Sequence, residues 1–163
     1  MNWAHIHLML NHIPVLGTVF GLALLAWGLW RRNDPLQRAA LFTFVAVAIV
    51  AIPVYLTGEP AEAVVENLVG TAETAIEAHE EAALLSFIAM EVLGALALAA
   101  LALSRTRFNP ALVVRGALAV ALLTGGLMAW TANLGGRIRH GELRAAGAGQ
   151  SDELERHREG GGR

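Results

Sequence analysis

The chain has 163 residues, 55% of them hydrophobic, with a mean hydropathy of +0.51 and a formal charge of −2. Charged residues make up 16%, against about 25% in a soluble domain, and together with uncharged runs near 20 residues long this places the chain in the membrane class. It contains no cysteine, which excludes disulfides, iron–sulfur clusters, thiolate zinc sites and haem held covalently through CxxCH.

The first 14 residues carry three of the six histidines, His5, His7 and His12. The segment lacks the basic start of a secretory signal and ends in Arg31-Arg32, so Met1–Trp30 reads as a retained first span. That span is expected over 13–30. Asn11 is placed as its N-cap and Pro14 in its first turn, where a missing N–H costs little. Residues 2–11 read as an interfacial turn or the first turns of the same helix. Trp3 at one end, and Trp27 and Trp30 at the other, suit the two membrane–water boundaries.

The loop RRNDPLQR is short, so a second span over 39–56 should lie antiparallel beside the first. Pro53 falls near its end and TGEP stops it. Residues 58–81 hold seven glutamates and no arginine, too polar to span. Two short amphipathic helices, 61–68 and 72–83, are expected there as a cap over the bundle end, the second started by the Thr71 hydroxyl. A third span is expected over 81–103 and a fourth over 111–134. In the fourth, Gly116, Thr124, Gly125 and Gly126 read as a close-packing face. The expected fold is therefore all-α: an integral membrane four-helix antiparallel bundle, residues 1–144, followed by a disordered polar tail, 145–163.

The loops 31–38 and 104–115 carry three arginines each, against none in 58–81 and three just beyond the fourth span. By the positive-inside rule both short loops are cytoplasmic and both termini are outside. A multi-pass protein of the bacterial inner membrane is the expectation.

Four antiparallel spans bring His5, His7 and His12, together with His79 and His140, to one membrane face and leave none on the other. Histidine is the commonest metal ligand. Three readings follow. The first is haem b, held by axial histidines from two facing helices. His12 and His79 match in depth, His5 or His7 with His140 could form a shallower pair, and Arg137 and Arg139 suit the propionates. The second is a divalent transition metal, with Glu80 beside His79, or Glu142 near His140, joining the imidazoles. The third is no cofactor, the histidines forming a pH-sensitive hydrogen-bond network. Within the N-terminal stretch His5, Met9 and His12 share a helical face and His7 points elsewhere. Glu91 lies about 18 Å below His79 along the third helix. An acid at that depth is either functional or a structural group hydrogen-bonded to a partner such as Thr124.

The leading functional expectation is a haem- or metal-binding membrane protein in electron transfer, meeting a redox partner over its acidic outer segment. The alternative is a non-redox accessory subunit that docks a partner. A channel or transporter would require a homo-oligomer, since four spans and one buried acid make a thin pathway. There is no nucleophile–base pair, no phosphate loop and no sign of a nucleic-acid partner.

The segments HIHLMLNHIPVLG (His5–Gly17), LTGEPAEAVVE (Leu56–Glu66), HEEAA (His79–Ala83) and AWTANLGGRIRHGE (Ala129–Glu142) together resemble a family of small bacterial predicted membrane proteins of uncharacterised function. The resemblance touches all four spans and implies the four-helix architecture and the pairing of these histidine motifs, with no assigned activity. The chain departs from that pattern at Asn67, where histidine is expected, and at Gly141, where proline is expected.

Overall fold

In hydrocarbon a backbone N–H or C=O has no water to bond, so a chain of this composition must satisfy both within helices. The computed structural model describes residues 3–65, 73–104 and 110–160, the side chains of residues 4, 62–65, 73, 75 and 137–160 excepted. These residues form α1 (Trp3–Leu10), α2 (His12–Trp30), α3 (Asp34–Leu56), α4 (Gly58–Val65), α5 (Glu73–Leu103) and α6 (Ala111–Gly160), with no strand among them. Four stretches are long and apolar enough to cross a membrane: His5–Trp30, Asp34–Leu56, Ile76–Leu103 and Ala111–Gly136.

The four long helices form an antiparallel bundle in chain order. α2 packs on α3, α3 on α5 and α5 on α6, and α6 returns to α2 through a sparser seam. The core is built of Leu25, Phe44, Met90 and Leu93, all fully buried, with small residues such as Ala97, Ala117 and Ala121 between them. Large apolar side chains also cover the outside: Leu16, Phe20, Ile49, Leu98, Leu112 and Leu122 are each more than half exposed. That surface suits acyl chains rather than water. Trp27 and Trp30 meet edge to face at 4.9 Å, with Arg31 5.9 Å from each ring, an aromatic and cationic boundary at the α2–α3 end.

Local chemistry sets several boundaries differently from expectation. Asn11 occupies the position before α2 but is itself helical, and its side chain makes no cap bond; its N–H bonds His7 O at 2.9 Å instead. The real cap is Asn33, whose side chain accepts from Leu36 N at 3.0 Å with Pro35 just inside the helix, so α3 begins at Asp34 rather than at 39. The second expected cap helix is not separate. It is the start of α5, a rod of 31 residues whose inner face buries Ile76 and Ala82. The cap is made instead by α1 and α4, which pack on each other and on α3. Thr71 and Asn67 lie outside the described residues. At the other end, α6 continues to Gly160 through the region expected to be a disordered tail. Alanine, glutamate and arginine there favour helix strongly enough to offset the glycines.

The close-packing glycines are also not those expected. Gly116, Gly125 and Gly126 face open space, and it is Thr124, with Ala117, Ala121 and Met128, that α6 buries. The close approach lies on α2. A Cβ on Gly21 would come within 2.5 Å of the Phe44 ring, one on Gly17 would collide with Val47, and one on Gly28 would lie 2.9 Å from Gln37 N. Gly94 of α5 meets Ala48 in the same manner at 2.5 Å. Gly21→Leu should therefore cost about 1–3 kcal/mol by forcing α2 from α3, whereas Gly126→Leu should stay within about 0.5 kcal/mol. Reversible unfolding in mixed micelles compares the two.

Candidate functional site

The end of the bundle where α3 stops and α5 begins collects the histidines. α3 ends at Leu56, and the Thr57 hydroxyl folds back to donate to Val54 O at 2.9 Å. α1 lies over this end. His7, half-buried, points its Nδ1 at Val54 O (3.1 Å) and Thr57 Oγ1 (3.2 Å), and its Cε1 lies 3.8 Å from where a Cβ on Gly58 would sit. A carbonyl only accepts, so in the neutral ring Nδ1 carries the proton and donates, and Nε2 keeps its lone pair. In this way His7 helps to satisfy the carbonyls that a helix leaves over at its C-terminus.

His79 is held by the same logic from the opposite side. It is half-buried, six residues inside α5, and donates Nδ1–H to Thr131 O of α6 at 3.1 Å. The ring reaches that carbonyl because Gly135 lies one turn beyond Thr131. A Cβ on Gly135 would come 3.1 Å from His79 Cε1 and 3.4 Å from its Nδ1. The Thr131 hydroxyl donates to Leu127 O at 3.0 Å, so the 2.9 Å contact with the buried Ser86 hydroxyl has Ser86 as donor. His79, Ser86 and Thr131 thus form a polar ladder along the α5–α6 seam. His7 and His79 stand at the same end of the bundle, each bonded to a backbone carbonyl of a neighbouring helix.

The remaining candidates divide. His5 and His12 are both exposed, and His12 donates Nδ1–H to Leu8 O at 2.6 Å within its own stretch of chain. The N-terminal histidine bonded into the bundle end is His7, to α3, while the His12 paired with His79 by depth bonds its own preceding turn. α1 runs into α2 through the single turn residue Asn11, which keeps helical dihedrals, and lays its inner side on the end of α3. Glu80 is exposed, one residue round the helix from His79, and so turned from the seam that His79 faces. Arg137, Arg139, His140 and Glu142 lie on the helical backbone of α6, but their side chains are outside the described residues. Among the described residues no three of His, Asp and Glu converge on a point that could hold a metal ion. Glu91 is half-buried on α5, and its Oε1 is enclosed without a hydrogen-bond partner. Oε1 does not bond the Thr124 hydroxyl as expected, and that hydroxyl donates to Val120 O of its own helix at 2.8 Å.

Thr131 and Gly135 were legible only as oddities, a hydroxyl and a glycine pair inside the apolar run WTANLGG. Spacing singles out the histidines and not the backbone carbonyls that orient them. Ser86→Ala should cost about 0.6 kcal/mol, the usual worth of a hydroxyl bond between membrane helices. Gly135→Val should cost more than Ser86→Ala, because it pushes the His79 ring off the Thr131 carbonyl. Unfolding free energies of the two variants in the same detergent check the order.

No protein-family model, no curated protein and no solved structure matches this chain.

Proposed function

We propose that this chain is a multi-pass protein of the bacterial inner membrane that binds haem b, or else a transition metal ion, at the histidine end of its bundle and works in electron transfer. The observation that carries the reading is the pair His7 and His79. They come from different helices at the same end of the bundle, and each gives Nδ1–H to a backbone carbonyl. Ligating histidines are oriented in this way, the second nitrogen being left as the ligand. A non-haem metal ion usually takes three or more protein ligands, whereas haem needs two axial ones. Two imidazoles from facing helices are what a b-type haem takes, so haem is preferred to a bare ion. His12, His5 and His140 are the next candidates, and Arg137 and Arg139 the propionate partners. Bound haem would supply a one-electron couple. The chain's own part would be to fix two imidazoles and to exclude water with α1 and α4.

By arginine bias the histidine face is outside, together with both termini, and the acidic stretch 58–81 would receive a basic redox partner there. A second reading has its own support. Both rings already join separate helices, His7 tying α1 to α3 and His79 tying α5 to α6. Histidines used only as ties would suit a non-redox accessory subunit that docks a partner.

Absorption spectra of the detergent-purified protein, oxidised and dithionite-reduced, separate the two. A Soret band that is lost or shifted in His7→Ala and His79→Ala but kept in His5→Ala is the expected result. If no band appears even after haem supplementation, and elemental analysis finds no metal, the accessory reading replaces this one.

A further inference from the structure

At the opposite end of the bundle the seam between α3 and α5 opens outward as a groove of about 330 Å³, lined by Arg38, Phe42, Leu98, Leu101 and Ala102. Its lining is graded by depth. Gln37, next to Arg38, donates from its side chain to Gly28 O at 3.2 Å, which sets this turn of α3 level with the Trp27–Trp30 boundary. Arg38 Nη1 donates to Ser104 Oγ at 3.4 Å, at the very end of α5. The guanidinium therefore stands at the height of lipid headgroups. Phe42 lies one turn deeper on α3, and Leu98 one and a half turns deeper on α5, both more than half exposed. From the boundary inward the groove reads cation, aromatic, aliphatic.

We propose that this groove is a binding site for an anionic phospholipid, the phosphate on Arg38 and one acyl chain laid between Phe42 and Leu98. An apolar furrow in a lipid-facing wall is filled by hydrocarbon in any bilayer. A guanidinium at its mouth makes the occupant selective, because the planar fork matches phosphate oxygens in two-point contact. The order of charge and chain in an amphiphile matches the order of the lining. The Arg31–Arg32 turn adds positive charge at the same face. The site is independent of the histidine end and does not rest on the haem reading.

Native mass spectrometry of the full chain, released from detergent after incubation with phosphatidylglycerol or with phosphatidylcholine of the same acyl chains, tests this. Retained phosphatidylglycerol should exceed phosphatidylcholine, and Arg38→Gln should lower its retention about fivefold, the worth of one arginine at a charged surface. Leu98→Trp, which fills the groove and leaves Arg38 in place, should lower retention of both lipids. Glycerol phosphate without acyl chains should fail to compete. Circular dichroism of each variant, equal to that of the parent, shows that the bundle has formed. Equal retention of the two lipids, an Arg38→Gln variant that binds as the parent does, or competition by glycerol phosphate would overturn the proposal.

Discussion

Polar groups in hydrocarbon must be satisfied close to home, and this single constraint shapes the molecule at every scale. It makes the backbone helical. It also dictates how the side chains inside the spans behave. The hydroxyls of Thr18, Thr43, Thr124 and Thr131 each return to the carbonyl four residues back in their own helix. Ser104 does the same three residues back. Each such bond neutralises a polar group without a partner helix, so these positions pack as if they were apolar. Bonds that cross between helices lie near both ends of the bundle: Gln37 to Gly28 and Arg38 to Ser104 at one, His7 to Val54 and His79 to Thr131 at the other. Imidazole can do either: His12 returns to Leu8 O one turn back, whereas His7 and His79 take a neighbouring helix's carbonyl.

The four spans, their order and their antiparallel sense could be read from the sequence because they depend on length and hydropathy alone. The gathering of histidines at one end followed from topology without further information. What stayed hidden depends on contacts between helices. Hydropathy cannot tell a glycine that admits a neighbour, such as Gly21 under Phe44, from one that faces lipid, such as Gly126. Acidity misled at the start of α5: glutamates look like a separate cap helix, yet Glu77 and Glu80 are exposed on the same rod that becomes a span, because one helix can pass from water into lipid without a break. The difference between His7 and His12 likewise depends on which side of the N-terminal helix lies on the end of α3, which spacing alone does not give.

The two ends of the bundle are built to different rules. The end bearing Trp27, Trp30 and Arg31 is a boundary of rings and guanidinium groups, turned outward and in contact with each other. The other end is closed by short helices and by hydrogen bonds directed inward. Rings that hold a lipid boundary can tolerate sliding, since their contacts are broad and non-directional. Rings that donate to a carbonyl cannot, because a displacement of even half an ångström lengthens the bond past use. The histidine end is thus the geometrically exacting half of the protein.

The ring of four helices closes through a seam that is thinner than the other three, between α2 and α6. Thr18 faces Met128 there, hydroxyl to sulfur at 3.6 Å. Every well-packed interface joins helices that are consecutive spans along the chain, so each can form as soon as the later one is made. The contact with the greatest separation in sequence is also the one with the least to offer. Assembly is then nearly local: hairpin upon hairpin as the chain emerges, with little loop entropy to overcome until the last step. Such a bundle folds in the order in which it is synthesised, and the seam that closes last is the natural place for it to come apart first.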